Sequence, residues 1–262
     1  VQTRSYWTNN NMTFRDEDLG PTAGGSMWQT CPLVALIDPS VATVFYDDFT
    51  YLASAKGAAT DDGWTFVEDD GAGGTDALQD AANGIYKHFT DGDANDEAYM
   101  ISANECWKFA AGKSLWLEAR IAITEGNTDD SAWIMGLMDN AGADAMVDGG
   151  AGPAASYDGA VIHGVKDALT IHFETSNAAT QSTSTACGSY VSGTFFNAGF
   201  WAKTESTSDT VAVVTPYING IAYTARNITL AGLAEMHFIF GTKAAAAEEA
   251  FSIDYVKIVQ IR

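Results

Sequence analysis

The chain has 262 residues, 47% of them hydrophobic and 11% aromatic, enough for one large core in a class where single sandwich domains reach about 250 residues. Lys and Arg total 13 against 34 Asp and Glu, a formal net charge of -21. That balance argues against nucleic acid and anionic membranes as partners, since both are held by cationic side chains, and no apolar run reaches the roughly 18 residues of a spanning helix.

Residues 1–43 read as an N-terminal arm. The stretch "SYWTNNNMTFRDEDLGPTAGGSMWQT" has no sustained period of 2 or 3.6. It nevertheless carries Tyr6, Trp7, Met12, Phe14, Met27 and Trp28, too many large apolar groups for a solvated tail. The arm is therefore expected to dock, either on its own body or on a neighbour. Tyr6, Trp7, Met12, Phe14 and Trp28 are its expected contacts. The opening "VQTRSYWTNN" has no apolar leader, and with the start at Val1 it points to synthesis in a cytoplasm without export.

From Val44 onward the sequence reads as strand after strand. "VFYDDFT" (44–50), "WTFVE" (64–68), "GIYKHF" (84–89) and "EAYMIS" (97–102) come first. In "SLWLEARIAIT" (114–124), Leu115, Leu117, Ala119, Ile121 and Ile123 alternate with Trp116, Glu118, Arg120 and Ala122. That is a half-buried strand with one predominantly apolar face. Trp116 sits on the polar phase and is expected on an exposed sheet face, where it could meet a glycan or a protein. Trp64, Trp133 and Trp201 are assigned to the core. Strands follow at 132–139, 159–165, 169–175, 198–204, 211–218, 220–225, 236–241 and 251–261. Asn219-Gly220, within "VTPYINGIAYT", is a two-residue hairpin signal. Short helices are expected at 74–84 and 243–251, the second from alanine propensity. Roughly a dozen strands predict an all-β, two-sheet antiparallel sandwich over residues 44–262. The long glycine- and serine-rich loops at 139–159 and 176–197 are candidate functional segments.

Chemistry-bearing motifs are sparse. Cys31, Cys106 and Cys187 form no CxxC pair, so reduced thiols are expected rather than a disulfide framework or zinc site. No strand carries two carboxylates at alternate positions, the arrangement retaining glycosidases need. Asp47 and Asp48 are adjacent and face opposite ways. His88, His163, His172 and His237 each lie in an apolar strand without HxH or HExxH spacing. They read as structural, although a lyase could draw on a His and Tyr pair. No GxSxG elbow or phosphate-binding loop is present. No catalytic residue is assigned. "TDGDANDEAY" (90–99) places Asp91, Asp93, Asn95 and Glu97 at alternate positions, a possible oxygen set for calcium. It lacks the glycine at position six and the acid at position twelve of an EF-hand loop, and a solvated acidic turn is the competing reading.

The order "YDDFT", "DGWTFVED", "KSLWLEARIAI", "WIMGLMDNAG", "FWAKT", "VAVVTPYINGIAYT" and "FSIDYVKIVQI" resembles the concanavalin A-like lectin/glucanase jelly roll, also seen in laminin-G-like domains. Many members of that fold bind glycans on a concave sheet face. With its acidic body and aromatic arm, the chain also resembles decoration (cement) proteins of tailed-phage capsids. That resemblance implies a non-enzymatic structural protein on the virion surface. It would contact the major capsid protein and neighbouring copies, with a homotrimer expected, gripping through the arm and one sandwich edge. The alternative is a carbohydrate-binding module, calcium-assisted or not, and after it a polysaccharide hydrolase or lyase.

Overall fold

The computed structural model describes residues 5–8, 11–14, 27–50, 63–68, 76–79, 84–126, 131–184, 186–244 and 247–262. In chain order the strands are β1 (Ser5–Thr8), β2 (Asn11–Phe14), β3 (Ala42–Asp47), β4 (Trp64–Glu68), β5 (Asp76–Gln79), β6 (Ile85–Phe89), β7 (Glu97–Ser102), β8 (Leu115–Thr124) and β9 (Ala132–Met138). They continue as β10 (Gly159–Gly164), β11 (Ile171–Asn177), β12 (Thr180–Ser184), β13 (Phe196–Lys203), β14 (Val211–Ile218), β15 (Ile221–Ala222), β16 (Arg226–Thr229), β17 (His237–Lys243) and β18 (Ala250–Ile261). One short helix, α1 (Leu33–Ile37), precedes β3.

Two antiparallel sheets form the body. One has the order β12-β11-β10-β9-β17-β7-β4; the other runs β15-β14-β13-β8-β18-β6-β5, with β16 on β14 and β3 on β18. The fold is thus the all-β sandwich that the alternation predicts. β18 organises its sheet. One edge pairs with β8 along nearly its whole length, through a bulge at Ile253/Tyr255. The other edge takes β6 on its first residues and β3 on its last.

The inner faces meet in one apolar core. Leu115, Leu117, Ala119, Ile121 and Ile123 of β8 face Trp133, Met135 and Leu137 of β9 and Phe238 and Phe240 of β17. Trp64 plugs one side, in edge contact with Phe238 and Phe240. The "YDDF" motif belongs to this packing. Asp47 accepts hydrogen bonds from the Trp64 indole at 2.8 Å and the Phe49 amide at 2.8 Å. It thereby holds buried Phe49 at a φ of 49°.

Several segments differ from the sequence reading. Residues 76–79, expected to be helical, pair with β6 as an edge strand. At 243–251, Lys243 ends β17 and Ala250 opens β18, while residues 245 and 246 of the expected helix lie outside the described residues. The 176–197 loop contains β12, a Thr/Ser/Gln strand whose polarity hid it.

The Asn219-Gly220 turn closes β14 onto β15, with φ of 50° and 78°, the signs a type I′ turn requires. A Cβ at Gly220 would meet nothing within 4 Å. The cost of Gly220→Val is therefore conformational alone, about 1–3 kcal/mol, and a denaturant titration should show it as a lower midpoint at unchanged slope.

Candidate functional site

Both sheets carry chemistry on their outer faces, and both faces are partly covered by the chain itself. On the seven-stranded sheet, Tyr99, Ile101, Ile134, Met138, Val161 and Ile239 point away from the main core and are buried under Ala145, Met146 and Tyr157. Residues 139–158 form this cover. It is fastened by a backbone bond from Lys166 N to Gly150 O and braced internally by one from Ala154 N to Ala145 O. The Glu97 carboxylate accepts from Asp144 N at 2.6 Å, and Asn95 Oδ1 accepts from Gly149 N at 2.9 Å.

Polar groups cluster beneath and beside the cover. Lys243, at the end of β17, is 2% exposed at its side chain, and Glu97, at the start of β7, is fully buried. The Lys243 ammonium lies 2.8 Å from Glu97 Oε1 and 2.7 Å from Asp148 Oδ1, and donates to Met146 O at 3.2 Å. Burial works against the charge on Lys243, but Asp148 and Glu97 outweigh it and hold its pKa above the usual lysine value. Burial raises the Glu97 carboxyl pKa above its usual value, against the pull of Lys243 and the Asp144 amide.

Further along the face, Glu174 accepts hydrogen bonds from Tyr157 (3.0 Å), Gln181 (2.9 Å) and Thr183 (2.6 Å). Burial first, and then Glu174, push the Tyr157 phenol well above its usual pKa, so it is a poor general base. His163 and His172 stand opposite each other on β10 and β11, stacked at 5.3 Å. His163 is buried against Gly152 of the cover, while His172 is half-buried.

Burial, and then the neighbouring His172, depress the His163 pKa from 6.5 to about 3. Because the folded value lies below the unfolded one, the contribution of neutral His163 is complete above pH 6.5 and drains away as pH falls toward 3. About 2 kcal/mol should be gone near pH 5, and His163→Gln should flatten that slope in urea unfolding measured across the range.

The acidic loop does not gather around a common centre. Asp91 Oδ1 accepts from Asp93 N, and Asp96 Oδ2 from Asp91 N. Asn95 is tied to Gly149, and Glu97 to Lys243. Among the described residues, no group of three or more His, Cys, Asp or Glu is placed to hold a metal. The loop reads as backbone-capping carboxylates plus a buried ion pair. Calcium should accordingly give no rise in melting temperature beyond charge screening. A rise of several degrees, abolished by Asp93→Asn, would overturn this.

On the nine-stranded sheet, Trp116 corrects the sequence reading. It lies on the outer face as its phase requires, but is only 2% exposed. The segment from Met27 to Ala42 covers it: Met27, Cys31, Ala35 and Ala42 are buried there with Trp116 and Val259. The Trp116 indole donates to Thr30 Oγ1 at 2.7 Å. Trp201, assigned from sequence to the core, instead stacks on Trp116 across the outer face, rings 8° from parallel. Trp28 is partly buried on the same cluster, with the Lys257 ammonium 4.2 Å from its ring centre. The arm's last part therefore docks on its own body. Tyr6, Trp7, Met12 and Phe14 lie in the β1-β2 hairpin, and their side chains fall outside the described residues. Cys31 is a buried thiol and Cys106 an exposed one, and Cys187 is buried.

No family model and no curated protein matches this chain. Solved structures do. Peanut lectin aligns with a TM-score of 0.55 at 12% identity, over 84% of this chain and 97% of the lectin. The endo-beta-1,4-glucuronan lyase of the fungus Trichoderma reesei aligns at 0.53 and 11%, over 82% and 94%. A protein of unknown function from Shewanella oneidensis MR-1 aligns at 0.54 and 14%, over 85% and 87%. The chain has the concanavalin A-like jelly-roll fold. At such identities the likeness extends to the fold alone.

The residues that sequence reasoning missed in this jelly roll are Lys243, Asp148, Tyr157 and Glu174. The phase of "MHFIFGTK" puts Lys243 on the same face as Ile239. That a distant loop closes over both had no local signal.

Proposed function

We propose that this chain is a non-enzymatic jelly-roll protein of a virion surface, a capsid decoration protein attached through its N-terminal region. The observation that carries the reading is the docking of Met27–Ala42 onto the Trp116/Trp201 face. A segment anchored this way gives the preceding aromatic residues a rigid base from which to reach a neighbour. Catalysis fits the geometry poorly: the Tyr157 phenol is held by Glu174, and His163 lies under the cover. Attachment would rest on buried area, with about 1,200–2,000 Å² typical of a stable interface. Tyr6, Trp7, Met12 and Phe14 would be its anchors on the major capsid protein or on adjacent copies. The acidic body would face solvent. Mass spectrometry of gradient-purified particles from the source lysate tests this. The protein should be present in a fixed ratio to the major capsid protein; its recovery only from the particle-free fraction would sink the reading.

A second reading, carbohydrate binding, is favoured by a specific groove. A cavity of about 280 Å³ between β11, β12 and β16 is lined by Thr175, Asn177, Thr180, Ser182, Asn227 and Thr229, with Ile228 and Ala231 among them. In so acidic a chain, an uncharged groove that mixes hydroxyls and amides with apolar surface suits a neutral saccharide, and lectins are among the structural neighbours. A glycan array with Asn177→Ala as control decides it. Binding lost in the variant supports the groove, and no binding by the parent protein removes it.

A further inference from the structure

We propose that Lys243 and Asp148 are joined by an intramolecular isopeptide bond, formed without a cofactor and assisted by Glu97. Three observations converge. The Lys243 amine is shut away from solvent, at 2% exposure, on a central strand. It lies 2.7 Å from Asp148 Oδ1, which brings the carboxyl carbon close to the near-attack range of about 3–3.5 Å. On its other side, 2.8 Å away, is a second carboxylate, buried Glu97. Glu97 is itself fixed by the Tyr99 hydroxyl at 3.1 Å and the Asp144 amide at 2.6 Å.

The chemistry balances without an added reagent. Lys243 begins as an ammonium and Asp148 as a carboxylate. Glu97, whose proton affinity is raised by burial, relays a proton from Nζ to Asp148, leaving an amine beside a neutral carboxyl. The freed lone pair attacks Asp148 Cγ, forming the C–N bond. A carbon–oxygen bond then breaks, and the departing hydroxyl leaves as water, carrying a second proton taken from nitrogen through Glu97. An ammonium and a carboxylate become a neutral amide and one water, with no change of oxidation state. Between separate molecules in water this condensation is unfavourable. Groups held in contact gain effective molarities of about 10⁵–10⁸ M, which can reverse the balance. The Asp148 side chain is 71% exposed, giving the water a way out. Because the resting lysine is charged, the bond forms slowly after folding. It replaces a buried ion pair, with its large desolvation cost, by an amide whose N–H can still donate to Glu97. The cover formed by residues 139–158 becomes covalently clamped to β17.

Intact-mass spectrometry of the purified full-length chain, fresh and after prolonged incubation at neutral pH, tests the bond. The expected result is a mass one water below the sequence value and, after proteolysis, a branched peptide linking Lys243 to Asp148. Asp148→Ala, at an exposed position that should not perturb folding, should restore the full sequence mass. Asp148 precedes Gly149, so an internal imide would produce the same loss of water. Fragmentation separates the two, since an imide leaves the Lys243 peptide unbranched. An unchanged mass after incubation, or a water loss without the branched peptide, overturns the proposal.

Discussion

Lys243→Met should destabilise the freshly folded domain, in which the lysine is still an ammonium, by about 3–5 kcal/mol, the usual consequence of removing one partner from a buried ion pair. The methionine would fill most of the lysine's volume, so the loss is chiefly electrostatic. Glu97, fully buried, would keep hydrogen bonds from Tyr99 and the Asp144 amide but lose its counter-charge. Asp148 and Asp144 are largely exposed and would turn to water at little cost. Met146, whose carbonyl accepts from Lys243, would lose part of what ties the cover down. The damage should therefore begin locally, as faster amide exchange across residues 144–152 before global unfolding. Adding Glu97→Gln to Lys243→Met removes the orphaned charge and should recover part of the loss. A Lys243→Met protein with an unchanged urea midpoint would mean that the cover is open and the pair is solvated.

The two sheets were legible because alternation is a local property. Leu115 through Ile123 announce an inward face, and Asn219-Gly220 announces a turn, whatever the rest of the chain does. β5, β12 and β16 were missed because edge strands with polar sequences have no apolar phase to read. The outer faces were harder still. Trp116 was placed on the correct side of β8 from its phase, but burial there depends on Met27, Cys31 and Ala35, some 80 to 90 residues earlier. The same is true of Lys243, which stands about 95 residues from Asp148 and 146 from Glu97. A carboxylate series such as Asp91, Asp93, Asn95 and Glu97 looks like a ligand loop in one dimension. In three dimensions Glu97 belongs to a lysine from the far end of the chain.

The N-terminal segment separates into two parts with different expected consequences on deletion. A chain beginning at Met27 keeps every described contact with the Trp116 face and should melt near the full-length temperature. Under the attachment reading, it should no longer bind its particle. A chain beginning at Pro39 loses Met27, Trp28, Cys31, Ala35 and Leu36, which pack on Trp116, Val259 and Trp201. The sequence boundary at 43 would treat that cut as harmless. The packing says otherwise. Burying one large apolar side chain contributes about 1.5–3 kcal/mol, and the cut removes Met27 while re-exposing Trp116. A loss of about 3–6 kcal/mol follows, a large share of the roughly 5–15 kcal/mol that holds a typical domain together. It would also leave the Trp116 and Trp201 rings, Val259 and the exposed Val44 on one open sheet face, an apolar patch of the kind that drives aggregation. Thermal unfolding with light scattering checks the cut at Pro39, and tryptophan emission should shift to longer wavelength as Trp116 meets water. If the two truncations melt alike and stay monomeric, Met27–Ala42 is not a working part of the body, and the anchored base for the arm goes with it.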